Sequence, residues 1–128
     1  MANQDVRYYL NGMSFELEPN VIRTVSTDGH RLALAQQAVT NGVSEQRQVI
    51  VPRKAVLEIL RLLEDDDATI ALHLGTNHIR IIEQNFIFTT KLVDGRFPDY
   101  RRVLPRNGDK VLTTDKDHLR QVLSRASI

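Results

Sequence analysis

Val49-Ile50-Val51-Pro52-Arg53-Lys54-Ala55-Val56-Leu57-Glu58-Ile59-Leu60-Arg61-Leu62-Leu63 is a short strand that turns directly into a helix. The β-branched run Val49–Val51 suits a buried strand, and Pro52 suits a helix start, where its missing N–H costs nothing. Val56, Ile59, Leu60 and Leu63 recur at i, i+3, i+4 and i+7, so the spacing predicts one apolar stripe, with Lys54, Glu58 and Arg61 on the opposite face. The same pattern returns near the end of the chain. Val49 aligns with Val111, Ile50 with Leu112, Lys54 with Lys116 and Leu57 with Leu119, a spacing of 62 residues. This second copy predicts a strand over Lys110–Thr113. A helix follows it, with Thr114 and Asp117 in a capping-box pattern and an apolar stripe of Leu119, Val122, Leu123 and Ala126.

Each strand–helix follows a run of alternating segments. Tyr8–Leu17 reads as a strand with Tyr9, Met13, Phe15 and Leu17 on one side. Val21–Ser26 and Arg31–Ala35 read as its partners, separated by the turn compositions Pro19-Asn20 and Thr27-Asp28-Gly29. After the first helix, Ile70, Leu72 and Leu74 alternate with Thr69, Ala71 and His73. Gly75-Thr76-Asn77 then leads into His78–Glu83, and Gln84-Asn85 into Phe86–Val93. A loop rich in charge, Gly and Pro runs from Asp94 to Asp109. The order is meander, strand–helix, meander, strand–helix, which is an α+β arrangement with antiparallel sheets and an internal repeat. A strand–helix before each meander would place the first one outside this sequence, so the chain is expected to be out of phase with its domain boundaries. A complete small α+β domain with an accidental repeat is the alternative.

Composition narrows the function classes. The chain has 128 residues, 41% hydrophobic and 26% charged, which suits an ordinary globular domain. It contains no cysteine, so disulfides and thiolate metal sites are excluded, and a cytoplasmic location is the expectation. No signal-like start and no long apolar run is present. The net charge of +1 permits nucleic-acid contact without announcing it.

The four histidines, His30, His73, His78 and His118, show no metal-ligand spacing beside a carboxylate. The acidic run Glu64-Asp65-Asp66-Asp67 lacks the glycine and spacing of a calcium loop. No serine, threonine or lysine stands in a nucleophile-elbow, phosphate-loop or Schiff-base context, and Asp28 with His30 are adjacent turn residues. The expectation is a non-catalytic protein with no metal and no cofactor. Two stretches do suggest contact surfaces. Thr27-Asp28-Gly29-His30-Arg31-Leu32 reads as a hairpin turn with glycine at a positive φ angle, which is compatible with a site. Asp94-Gly95-Arg96-Phe97-Pro98-Asp99-Tyr100-Arg101-Arg102-Val103-Leu104-Pro105 mixes aromatic, proline and arginine residues in an irregular segment.

Four blocks carry a family resemblance: Asp5–Gly12, Thr27–Leu32, Val51–Lys54 and Lys91–Tyr100. In order and spacing they resemble the bacterial DNA sliding clamp, the beta subunit of DNA polymerase III. The resemblance implies a DNA-clamp fold, with antiparallel sheets on the outer side and helices on the inner, DNA-facing side. It implies that residues 1–105 are most of the middle domain, lacking its first strand and most of its first helix. Residues 106–128 would be a linker and the first strand–helix of the third domain. It also implies a ring-shaped homodimeric parent that encircles duplex DNA without reading its sequence. The parent would tether the DNA polymerase III alpha subunit, the clamp loader and other proteins bearing a clamp-binding peptide motif.

Carried over by position, the peptide-binding pocket would use Leu10, Thr27, Gly29, His30, Arg31, Leu32, Pro98, Arg102 and Val103. Leu10, Leu32, Pro98 and Val103 would supply its apolar part. The family pocket also draws on residues late in the third domain, so weakened peptide affinity is expected of these residues alone, and ring closure is not. The DNA-facing set would be Gln4, Arg7, Tyr8, Tyr9, Arg53 and Lys54, with Arg61 and Arg120 as outlying candidates. A stand-alone peptide-binding scaffold that never encloses DNA is the competing reading.

Overall fold

The computed structural model describes residues 1–40, 42–63 and 69–127, which fall into two compact units, Met1–Pro98 and Asp99–Ile128. The first unit holds two antiparallel sheets. Strands β1 (Gly12–Glu18), β2 (Val21–Thr27), β3 (Leu32–Ala38) and β4 (Arg47–Pro52) form a sheet in the order β3-β2-β1-β4. Strands β5 (Ala71–Leu74), β6 (His78–Glu83) and β7 (Phe86–Lys91) form a second in the order β5-β6-β7. The strand of the strand–helix motif therefore joins the meander before it, with Met13 opposite Val51 and Phe15 opposite Val49. Helix α1 (Arg53–Leu62) follows β4 without a loop.

The core forms where α1 meets both sheets. Val51, Ala55, Val56, Ile79 and Leu92 are buried together, with Met13, Phe15 and Phe88 packed against them. A backbone bond from Val93 N to Ile50 O (2.9 Å) carries the end of the second meander onto β4.

Four expectations need correction. Tyr8–Asn11 is a 3-10 helix, so the strand starts at Gly12 and Tyr9 does not share the Met13 face. The helix buries Ala55 and Val56 and leaves Leu60 67% exposed. Val56 and Ile59 of the expected stripe do face the core, so periodicity found the buried side and erred at its edge, where Ala55 is buried and Leu60 is not. Lys110–Thr113 is irregular, with Val111 86% and Leu112 84% exposed. A strand is stable only as a ladder, and among the described residues no strand pairs with this segment. Finally, the cap of the last helix, α2 (Lys116–Ala126), is Asp115 rather than Thr114: its carboxylate accepts from His118 N at 2.8 Å. The acidic run at 64–67 lies outside the described residues.

In the second unit, Tyr100–Arg102 forms a 3-10 turn. Within it the Arg101 guanidinium stands 6.0 Å from the Tyr100 ring centre, and Arg102 Nε pairs with Asp99 Oδ2 at 3.0 Å.

Candidate functional site

The β2–β3 turn is built by its own side chains. Thr27 Oγ1 donates to Arg31 O (2.8 Å) and accepts from Gly29 N (3.1 Å). Asp28 Oδ1 accepts from His30 N and Arg31 N, both at 3.1 Å, and Asp28 Oδ2 accepts from Arg31 Nε at 2.9 Å. The backbone N–H groups of His30 and Arg31, aided by the Arg31 guanidinium, hold the Asp28 carboxyl down at about 2. Gly29 sits at φ +90, a region open to glycine and costly for side chains. The result is a rigid turn that leaves His30 and Arg31 exposed and delivers Leu32, opposite Thr27, at the start of β3.

A second locally closed loop stands beside it. Asp5 N donates to Asn11 Oδ1 and Asn11 Nδ2 returns the bond to Asp5 O, both at 2.9 Å. Arg7 Nε and Nη2 grip Asp5 Oδ1 and Oδ2 at 3.0 and 2.8 Å, a bidentate pair. That side-chain pairing, with the bond from Arg7 N, lowers the Asp5 carboxyl to about 2. The clamped guanidinium lies against Gly29, where a side-chain carbon would come within 3.2 Å of Arg7 Nη1. Leu10, three residues on, is 2% exposed and bonded to Arg7 O through its N–H.

The sequence-derived DNA-facing set therefore divides. Arg7 stands with the Thr27–Leu32 turn. The Tyr8 ring lies against Gly95 and meets Tyr9 edge-on, with centroids 5.8 Å apart. Gln4, Arg53 and Lys54 gather elsewhere, around a cavity of about 300 Å³ that they line with Ala2, Asn3, Asn11 and Pro52. Arg53 and Lys54 are the first two residues of α1, whose N-cap, Pro52, offers no side-chain bond to the free N–H groups. Two cations on an uncapped helix start form a basic, donor-rich corner. Arg61, at the other end of α1, is paired with Glu58.

Pro98 is exposed at the end of the first unit, while Arg102 and Val103 are exposed in the second, as is Arg120 on α2. Asp5, Asn11 and Asn3 escaped sequence reading as site residues. Their roles depend on a 3-10 turn that carries no periodic signal, although the Asp5-x-Arg7 spacing could have suggested a local ion pair.

Comparison with known proteins places this geometry. Residues 1–99 match the sequence model of the family described as DNA polymerase III beta subunit, central domain. The beta sliding clamp of Haemophilus influenzae is 54% identical over 128 residues, covering 100% of this chain and 35% of that protein. That of Escherichia coli K12 shows the same identity and coverage, 54%, 100% and 35%. The chain thus spans about a third of the length of the curated relatives it matches. Among solved structures, the DNA polymerase III subunit beta of Pseudomonas aeruginosa superposes with a TM-score of 0.91 at 52% identity, over 98% of this chain and 34% of that one. A sliding clamp from the same organism, bound to griselimycin, gives a TM-score of 0.89 at 52% identity, again over 98% of this chain and 34% of that one.

Proposed function

Because the chain belongs to the family of the DNA polymerase III beta subunit, central domain, we propose that it serves as part of a ring-shaped processivity factor. In this role it contributes a pocket for linear peptide tails and a set of loose contacts to duplex DNA. The supporting observation is the Thr27–Leu32 turn, rigid through Asp28 and standing beside the Asp5–Asn11 loop that carries Leu10. A pre-formed turn lowers the ordering cost of binding, and the half-buried Leu32 at its end supplies apolar surface, while Leu10, 2% exposed, belongs to the proposed pocket by the family pattern. Each buried leucine or phenylalanine anchor of the peptide contributes about 1.5–3 kcal/mol, so two anchors contribute about 3–6 kcal/mol before ordering costs, which corresponds to weak, roughly millimolar affinity. Thr27, Gly29, His30 and Arg31 would form the rim. Pro98, Arg102 and Val103 belong to the proposed set by the family pattern alone.

The DNA-facing part of the proposal rests on Gln4, Arg53 and Lys54 around the start of α1. Cations and free N–H groups there suit phosphate oxygens, which carry no sequence code. With a net charge of +1, such contacts stay weak, as a sliding ring requires. Retention would come from enclosure, and the partners would be a replicative polymerase, its clamp loader and other proteins with the peptide motif. The reaction chemistry would belong to those partners.

Titration with the peptide Gln-Leu-Ser-Leu-Phe tests the pocket. Leu32→Ala is expected to weaken binding by about tenfold, the worth of one apolar anchor. Unchanged affinity in a folded variant would remove Leu32 from the pocket.

A further inference from the structure

Two carboxylates and two arginines meet where the Asp5–Asn11 loop reaches the Thr27–Leu32 turn, and each acid holds one base. Asp5 takes Arg7 through Nε and Nη2, at 3.0 and 2.8 Å. Asp28 takes Arg31 through Nε alone, at 2.9 Å. The two pairs are neighbours. The Arg7 guanidinium covers Gly29, where an added Cβ would meet Nη1 at 3.2 Å and Nη2 at 3.3 Å, and Asp28 is the residue before that glycine. The hydrogen-bonded Asp5 carboxylate raises the Arg7 pKa most, and the Asp28 charge adds to the same effect. Arg7 therefore has two acids within reach of its charge, and one of them holds it.

The two acids do different work. Asp28 Oδ1 is occupied by His30 N and Arg31 N, so Oδ2 is the oxygen left for a guanidinium. Two guanidinium groups brought to that one oxygen would repel each other and compete for it. The Asp5 side chain, by contrast, is not what closes its own loop. Asn11 closes it on the Asp5 backbone, accepting from Asp5 N and donating to Asp5 O. Asp5 Oδ1 also accepts from Arg7 N at 2.8 Å, a bond that an amide oxygen can keep. What the negative charge of Asp5 adds is the grip on the Arg7 guanidinium.

We infer that Asp5 is a positioning residue for the proposed peptide pocket: it keeps Arg7 off Asp28, so that Asp28 stays with Arg31 and the Thr27–Leu32 turn keeps its shape. Without the Asp5 charge, Arg7 turns to Asp28 Oδ2 and competes with Arg31, which loosens the turn that sets the rim and delivers Leu32. Asp5 acts through Arg7 and does not itself touch the peptide. This inference rests on the pocket proposed above.

The test uses the full chain, isotope-labelled for NMR, with Asp5→Asn and with Asp5→Asn combined with Arg7→Gln. The Arg31 Nε–H signal is read in each, Asp28→Asn marks where an unpaired Arg31 falls, and the peptide Gln-Leu-Ser-Leu-Phe is titrated by chemical shift. Asp5→Asn is expected to move the Arg31 signal toward its Asp28→Asn position and to weaken the peptide by about two- to fivefold, the worth of one exposed charge pair. The combined variant is expected to return both readings toward the parent's, since the competing cation is gone. An Arg31 signal that stays in place in Asp5→Asn overturns the inference. So does a loss that the combined variant leaves unrepaired, because Asp5 would then act through its own loop. If Asp5→Asn fails to fold, Asp5→Ser, whose hydroxyl still accepts from Arg7 N, carries the same comparison with the same outcomes. If the parent chain binds no peptide, the pocket proposal fails, and the Arg31 signal still decides whether Asp5 keeps Arg7 off Asp28.

Discussion

Asp28 shows how one side chain shapes the candidate pocket. It accepts two backbone N–H groups and one guanidinium, and its carboxyl is held at about 2. Asp5 is lowered to about 2 by its Arg7 clamp. Both groups titrate lower in the folded chain than in the unfolded one, where a carboxyl sits at about 4. The folded state therefore favours their ionised forms. Their contribution to stability is complete above about pH 4 and fades as pH falls toward about 2. Asp28→Asn keeps an acceptor for the turn but removes this titration. Its melting temperature is expected to fall less steeply than the parent's over that window, as followed by circular dichroism. An equally steep profile would show that Asp28 does not couple folding to protons.

At the scale of elements, α1 decides what the first unit buries. Ile79 on β6 is 2% exposed in the core cluster, whereas Leu60, on the stripe that periodicity favours, is 67% exposed. Ile79→Ala is expected to lower unfolding stability by about 2–5 kcal/mol, through reduced apolar burial and a residual cavity. Leu60→Ala is expected to change stability by no more than about 0.5 kcal/mol. Urea midpoints of the two variants measure the contrast directly. A large drop at Leu60 would extend the buried face to that residue of the stripe read from sequence. The element boundaries were mostly legible: the strands from β2 to β7 and both helices lie close to the expected segments. The 3-10 turn at Tyr8–Asn11 was not legible, because Tyr-Tyr-Leu-Asn alternates no worse than a strand. Its closure depends on Asn11 reaching back to Asp5.

At the scale of the molecule, the proposed DNA contact would rest on a small number of placed cations, since a net charge of +1 argues against gripping by bulk charge. Arg53→Ala with Lys54→Ala, made in a longer parent protein, is expected to weaken duplex binding. The same pair should flatten the plot of log affinity against log salt by up to roughly 2, since each phosphate left unneutralised removes about 0.9 from the slope. Fluorescence anisotropy across a salt series gives the slope. An unaltered slope would take both residues out of the DNA-facing set. Single substitutions at Arg7 make a useful contrast, because its charge is committed to Asp5 and stands against the Gly29 turn.

The sequence by itself determined the two meanders, the first strand–helix unit, the last helix, the Thr27–Leu32 turn and the family, because these are encoded in local periodicity, turn chemistry and residue blocks. Tertiary structure alone decided that Leu60 of the α1 stripe stays exposed, that Arg7 belongs with the turn while Arg53 and Lys54 gather with Gln4, and that Glu16 and Arg23 are partners across strands. Those outcomes depend on residues distant in sequence becoming neighbours. Whether a leucine packs inward or a charge finds its partner is set by the surface that arrives beside it, and spacing along one strand or helix carries no record of that surface.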